Sequence, residues 1–557
     1  MKKQALSLFL AGALALSLFG CSAQPAAESA PQSSPAETAG SSSAGVVEEL
    51  HLGTTAANDT FTTFVESGAF GKMCYNSFVT APFWQTGPNG EVEPFLVTDW
   101  TVSEDSTTIT CDLALNQGIT WHDGEPLTMD DVLFTFDYNI NVRKSSYSSY
   151  VDHAEQVDED TIKVVLKEPG AYQWLKLVAG YFYVQPKHIW ENIDAPKDYR
   201  GEDAVIGCGP YQLVQVDEEA QTMHYEAVGE TYMGRALTVR SVTVRSYDSQ
   251  DALVMALRTG EVDAMYDYSN PISPTMLPSI SGVDGVDPGR GMNMGLFEIL
   301  FGFQKQPTDD LEFRRAVRYA LNYELLATTI GGEDGQVPGE GIISPAGIGY
   351  DDSLPKLVQD QEQAKAILEA AGYVDTDGDG WRERPDGTPM DVLVTPQYNA
   401  TKAALYQRIA EIIVTNLGEV GVKCTLDEES IRNSDHEQQL RDDGAYEIYI
   451  CYATQGVSFY KTPVLYMFND DLSMWGTCDL EDFDQAYNDM LNAQGDEDYV
   501  AKVKELQRIA SEEVIGIALC WDTAYYPYRT DKYEGWTNFP GWGVINCETW
   551  YNLHPIG

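Results

Sequence analysis

Gly118-Ile119-Thr120-Trp121-His122-Asp123-Gly124-Glu125-Pro126-Leu127-Thr128-Met129-Asp130-Asp131-Val132 decides how this chain is read. His122 beside Asp123 has the composition of a catalytic pair, but its neighbours specify a turn. Asp123 and Gly124 supply turn geometry, and Pro126 punctuates it. Thr128 followed three residues later by Asp131 is a capping-box pattern. The helix it opens carries Val132, Leu133 and Phe136. Upstream, Ile109, Cys111, Leu113 and Leu115 are apolar at period two, with Thr108, Thr110 and Asp112 between them, as in a half-buried strand. The stretch therefore predicts strand, turn and capped helix rather than a reaction centre.

The same alternation of strand and helix continues outward. Ile162, Val164 and Leu166 predict one strand, and Tyr446, Ile448 and Ile450 another. Helical spacing joins Phe313, Val317, Ala320, Leu321 and Leu325. It joins Ala364, Ile367, Leu368 and Ala371 before Gly372, and Leu405, Ile409, Ile412, Ile413 and Leu417 before Gly418. Tyr499, Val503, Leu506, Ala510 and Val514 form a fourth stripe. These stripes are core faces, and the class they predict is α/β.

Five segments carry a resemblance. Glu93-Pro94-Phe95-Leu96-Val97-Thr98-Asp99-Trp100 leads into the quoted stretch. Ile206-Gly207-Cys208-Gly209-Pro210-Tyr211, Gly260-Glu261-Val262-Asp263-Ala264 and Phe313-Arg314-Arg315-Ala316-Val317-Arg318-Tyr319-Ala320-Leu321-Asn322 follow in order. Together they resemble the family 5 extracellular solute-binding proteins, the peptide, nickel and glycoside receptors of ABC importers. Cys208 departs from the family's Gly-Thr-Gly-Pro-Tyr element. The resemblance runs from about Val46 to the C-terminus. It implies a two-lobed, periplasmic-binding-protein-like fold with an additional inserted domain. Lobe I would be 46–74, 206–287 and 515–557, the inserted domain 75–205, and lobe II 288–514.

The implied activity is capture of a peptide or similar small polar solute between the lobes, with delivery to an ABC permease and its ATPase. No catalysis is expected. In peptide-binding relatives the segment after the 446–450 strand carries an aromatic residue and then an Asp for the peptide ammonium. Here Tyr452 fits the aromatic position, while Thr454 and Gln455 stand where the Asp would be. Tyr452, Thr454, Gln455, Phe459 and Tyr460 are thus the main ligand-binding candidates, with Asn293 and Trp84 as further ones. Other readings of the same fold are a solute sensor feeding a signalling receptor, and a nickel-chelate or oligosaccharide receptor. A secreted enzyme is the third class. There is no Gly-x-Ser-x-Gly elbow, no Walker A loop and no His-Glu-x-x-His helix, since His436-Glu437 continues as Gln438-Gln439-Leu440.

Composition agrees. The 557 residues hold 86 Asp and Glu against 35 Lys and Arg, a formal net charge of −51. Such a surface repels phosphate, so nucleic acid is not an expected partner. With 43% hydrophobic residues the chain can bury cores, which excludes global disorder.

At the N-terminus, Lys2 and Lys3 precede an apolar run from Ala5 to Phe19, too short to span a bilayer. Leu18-Phe19-Gly20-Cys21 resembles a lipobox, with Phe19 in place of the usual small residue. Residues 1–20 are therefore read as a lipoprotein signal peptide, Cys21 as the lipidated residue, and the Ala/Ser/Pro-rich 21–45 as a disordered tether. The protein is then extracytoplasmic, lipid-anchored to the outer face of the cell membrane, or to the periplasmic side in a two-membrane cell. No CxxC pair occurs among the nine Cys, and their pairing stays open.

Asp375-Thr376-Asp377-Gly378-Asp379-Gly380 has the opening pattern of an EF-hand-like calcium loop: oxygens at positions one, three and five, and Gly at six. Trp381 would add a carbonyl, Glu383 a water-mediated contact, and Asp386 the twelfth-position carboxylate. A structural calcium ion is the one cofactor expected; none is required for binding a solute.

Overall fold

The alternation at 109–113 is realised in a four-stranded antiparallel sheet. Its order is Val97–Val102, Thr108–Leu113, Thr161–Leu166 and Val151–Gln156. Ile109, Cys111 and Leu113 turn inward onto Val132, Phe136 and Trp174. The computed structural model describes residues 45–557 except 59, 66–67, 76, 89, 146, 268–269, 292–294, 346, 400–401, 455–479 and 540–541. Cys21, Asn293, Gln455, Phe459 and Tyr460 lie outside the described residues.

The capping box forms as the sequence specifies. The Thr128 backbone N–H and hydroxyl both donate to Asp131 Oδ2, at 2.9 and 2.8 Å. Helix Met129–Tyr138 follows. Asp131 Oδ1 accepts from the Lys187 N–H at 2.9 Å, so one carboxylate caps the helix and ties down a distant loop.

His122 is a joint rather than a catalyst. Its Nε2 donates to the Gly209 carbonyl at 3.0 Å, and its Nδ1 accepts from the Gly207 N–H at 3.3 Å. The Nδ1 bond requires the neutral ring, and burial lowers its pKa in the same sense. A Cβ on Gly207 would lie 2.0 Å from the Val79 carbonyl oxygen, and one on Gly209 2.2 Å from that of Phe78. The 207–209 segment therefore lies against the 78–79 backbone in a contact that a side chain would prevent.

A seven-stranded sheet runs in the order Val286–Asp287, Tyr528–Arg529, Ala264–Met265, Leu50–Thr54, Ser241–Ser246, Thr222–Ala227 and Tyr211–Asp217. Leu50–Thr54 is parallel to both of its neighbours, and the outer pairs are antiparallel. A five-stranded sheet takes Cys424–Leu426, Val392–Pro396, Ile448–Thr454, Gly295–Phe301 and Gly516–Asp522. Both faces of this third strand are buried over Ile448, Tyr449, Ile450 and Cys451. Ile448 and Ile450 pack beneath helices Leu311–Ala320, Gln361–Ala370 and Ala403–Glu419. Tyr449 and Cys451 pack on the other side, beneath Glu481–Leu491 and Asp496–Glu512. Helices on both faces leave no water-facing side over 448–451, so apolar residues point both ways there.

Three expectations are corrected. The stripe 313–325 is not one helix: Asn322 accepts from the Leu325 N–H and opens a second helix, Tyr323–Gly331, which leaves Leu325 exposed. Gly418 lies inside Ala403–Glu419, and the left-handed residue is Gly421, at φ 83°. Strand Gly516–Asp522, placed by resemblance in lobe I (515–557), pairs along its length with Gly295–Phe301 instead. Ile517 and Leu519 belong to the same core as Phe297 and Ile299, so the return to the seven-stranded sheet begins after Asp522.

Among the described residues the chain crosses between these two sheets through 288–291 and 523–527, and the crossings pair with each other. The Gly291 N–H donates to the Ala524 carbonyl at 2.7 Å, and the Tyr526 N–H to that of Gly289 at 2.9 Å. Gly289 sits at φ 62°, where a Cβ would meet the Tyr526 carbonyl oxygen at 1.9 Å.

Candidate functional site

Strand direction locates the site. Thr454 and Asp522 both lie opposite Gly295, and Val392–Pro396 runs parallel to Ile448–Thr454. The carboxyl ends of three strands thus share the edge where the chain enters from the crossing. In the seven-stranded sheet the carboxyl ends of Leu50–Thr54, Ser241–Ser246 and Ala264–Met265 lie together, and Tyr528 arrives from the other crossing opposite Ala264. Both sheets therefore present strand carboxyl ends towards the crossings. In α/β sheets a ligand sits outside such ends.

At the five-stranded edge, four elements bring side chains together. Tyr452, near the end of its strand, is half-buried, with its ring centroid 5.0 Å from that of Phe297. Gln397 follows Val392–Pro396 directly. Its Oε1 accepts from the Tyr406 hydroxyl at 2.9 Å and from the Tyr452 N–H at 3.1 Å. Lys402, which precedes helix Ala403–Glu419, places Nζ 4.6 Å from the Tyr452 ring centroid and 5.6 Å from that of Phe297. The result is a wall of two rings, an amide and an ammonium.

The opposite edge has spent its charge. Lys72 and Asp267 form an ion pair with side chains 5% and 2% exposed, and Thr55 donates to the same carboxylate at 2.8 Å. Asn270 Nδ2 donates to the Thr55 hydroxyl at 3.1 Å.

Of the sequence candidates, the structure brings only Tyr452 to this wall with a described side chain. Thr454 is placed by its backbone opposite Gly295. Trp84 is corrected: it is fully buried, 5.7 Å from Trp174 and 5.9 Å from Phe83, within the core beneath the four-stranded sheet. Sequence reasoning missed Phe297, Gln397 and Lys402. Parallel pairing brings Gln397 beside Tyr452 across 55 residues, and no local pattern records that. The usable signal was the strand-to-helix turn at 396–403, a position where α/β folds place binding groups.

The acidic loop is a separate cluster. Ligand oxygens of Asp375, Asp377, Asp379 and Glu383 lie within 4.8 Å of one another. Gly378 and Gly380, at φ 80° and 94°, turn the loop, and their N–H groups donate to Asp375. Trp381 adjoins through its N–H, which donates to Asp379 Oδ1 at 2.8 Å. Asp386 is corrected as the closing ligand. It accepts from the Thr388 N–H and hydroxyl in its own turn, and buried Glu383 converges with the three Asp instead. The described thiols Cys74, Cys111, Cys208, Cys424, Cys451 and Cys547 are free.

The family model for bacterial extracellular solute-binding proteins, family 5, matches residues 91–473. The chain belongs to that family. Its members are substrate-binding proteins, and the α/β architecture above is theirs. It is 26% identical over 391 residues to the dipeptide-binding protein of Escherichia coli, covering 66% of this chain and 68% of that protein. It is 24% identical over 366 residues to the nickel-binding periplasmic protein of Escherichia coli, covering 64% and 66%. The solved structure of HbpA2 from Haemophilus parasuis superposes with a TM-score of 0.76 at 18% identity, covering 92% of this chain and all of that one. Among the described residues no helix is long and apolar enough to cross a membrane.

Proposed function

We propose that this protein is the extracytoplasmic solute receptor of an ABC importer and takes peptides or similar small polar solutes between its two larger sheets. One observation carries the reading: two sets of strand carboxyl ends open towards a double crossing, and one of them bears the Tyr452–Phe297–Gln397–Lys402 wall. Aromatic surface with a few fixed polar groups suits a solute that is bound and released unchanged. Paired crossings of this kind permit hinge closure around the solute, and the closed form would engage a permease. The relation to a dipeptide-binding protein supports peptides as the first solute class to test. Lobe I as 46–74, 206–287 and the part of 515–557 after Asp522, with 75–205 inserted, is the division that goes with this reading.

The test is calorimetry and native mass spectrometry of the purified protein against short peptides, nickel chelates and oligosaccharides. A 1:1 complex with peptides, lost in Tyr452→Ala, is expected. Binding of oligosaccharides or chelates alone would replace the peptide reading. Turnover of any bound compound would replace the receptor reading.

Two accompaniments belong to the proposal. Cys21 is the lipid anchor, so Cys21→Ser should release the protein from membrane fractions; unchanged retention would contradict it. The 375–383 loop holds a structural calcium ion, supported by the convergence of four carboxylates.

A further inference from the structure

We propose that Glu49, His51, His224 and Glu226 form a site for a divalent transition-metal ion on the water-facing side of the seven-stranded sheet. It lies nearer the amino end of Leu50–Thr54, whose carboxyl end faces the crossings, and is separate from the Tyr452 wall.

Strand register places these residues. Leu50–Thr54, Ser241–Ser246 and Thr222–Ala227 are adjacent, and His51, Thr243 and His224 lie directly opposite one another across them. The residues on either side of that row, such as Leu50, Leu52, Val242, Val244, Met223 and Tyr225, are fully buried in one core. Successive strand side chains point to opposite faces, so the His–Thr–His row points to water. Glu49 and Glu226 stand two residues from His51 and His224 on the same face, and Ser241 lies opposite Glu226. The outer strands, two spacings or about 9.6 Å apart, thus carry a His and a Glu each, with only the short Thr243 and Ser241 between them.

Hydrogen bonds prepare the ligating nitrogen. The Thr243 hydroxyl donates to Glu49 Oε1 at 2.7 Å and lies 2.9 Å from His224 Nδ1. A hydroxyl has one hydrogen, and Glu49 takes it, so Nδ1 supplies the proton of the second contact. In the neutral ring Nε2 then holds the free lone pair, the form that binds a metal. Nε2 lies 4.0 Å from Glu226 Oε1, and His51 Nε2 lies 3.8 Å from Glu49 Oε2. Two ligands of one tetrahedral ion stand about 3.3 Å apart, given bonds of about 2.0–2.1 Å. Both gaps exceed that by only a fraction of an ångström. Glu49 links the two halves, since its Oε1 is also 3.8 Å from His224 Nδ1. The acidic loop has its oxygens already gathered, whereas here two half-sites are formed and rotation of partly exposed side chains joins them.

The charges and donor types select the ion. Among the described residues neither Glu49 nor Glu226 pairs with a Lys or Arg; their contacts are with the imidazoles. Arg245, on the same face, is paired with Glu261. Imidazole suits ions such as Zn2+, Ni2+ and Cu2+, while Mg2+ and Ca2+ take oxygen ligands.

Tag-free Asp377→Ala protein, which lacks an intact acidic loop, should be titrated calorimetrically with Zn2+ and followed by thermal melts. One Zn2+ per chain is expected, with a rise in Tm that Ca2+ does not reproduce. Adding His51→Ala or His224→Ala should each weaken Zn2+ at least tenfold, and Glu226→Gln should weaken it too. Thr243→Val keeps all four ligands but frees the His224 ring, and should cost about tenfold; Thr243→Ser should restore the affinity. Melts without metal establish that each variant is folded. No Zn2+ binding, or binding undiminished when both His51→Ala and His224→Ala are present, overturns the site. Weakening by only one of the two His substitutions overturns an ion shared between the strands.

Discussion

Glu298 stands midway along Gly295–Phe301, fully buried, with Cys451 Sγ 3.8 Å from Oε1 and no partner for Oε2. Burial pushes its pKa up to about 8, only partly opposed by the thiol contact. In the unfolded chain a Glu titrates near about 4.3. The folded protein therefore keeps a proton that the unfolded chain releases between those values. Its contribution is undiminished below the unfolded pKa and is lost as pH rises through the folded one. Glu298→Gln, which never ionises, should raise Tm at pH 8 and make little difference near pH 4. A gain of the same size at both pH values would show that the carboxyl is not neutral in the fold. At this scale the sequence was legible where the chemistry is local, as in Thr128 with Asp131 or Gly207 with Gly209. Glu298 was illegible because its character comes from burial in the sheet, beside Cys451 from a strand 153 residues away.

At the scale of elements, periodicity located the helices well and their ends less well. The 313–325 stripe continues in register past Leu321, yet Asn322 offers the next turn a cap and the chain restarts there. The loop after Gly372 was legible as a set of oxygens, because the spacing Asp-x-Asp-x-Asp is itself local. Its closing residue was not, because Glu383 is brought in by the short bridge between Glu383 and Pro389. If calcium binds, a chelator should lower Tm and added calcium should restore it. Asp377→Ala should remove that response, as should Glu383→Gln, while Asp386→Asn should keep it. No response to chelator in the wild type would leave the loop as a solvated turn.

At the scale of the whole molecule, helix Ala171–Val178 serves two cores. Trp174, Leu175 and Val178 belong to the core under the four-stranded sheet, and Leu177 packs with Tyr487 and Met490 in the core under the five-stranded one. Between them Lys176 is buried near the rings of Tyr172 and Tyr499, 2.6 Å from the largely exposed Asp496. Removing one member of such a pair is asymmetric. Asp496→Ala leaves a buried cation without its anion and should cost on the order of 2 kcal/mol, less than for a fully buried pair because water reaches Asp496. Lys176→Met removes the buried charge, leaves Asp496 in water, and should be close to neutral in urea denaturation. Equal losses from both would mean that the pair contributes through packing alone. The α/β class, the order of the family's motifs and the turn at 122–124 were all readable along the chain, because hydrophobic period, capping and turn chemistry act over a few residues. The placement of Gly516–Asp522 in the second sheet, the burial of Trp84 and the meeting of Gln397, Lys402 and Tyr452 depended on which strands pair and in which direction. That choice is made by burying whole sheets between helices, and it brings together residues tens or hundreds of positions apart that carry no local mark of one another.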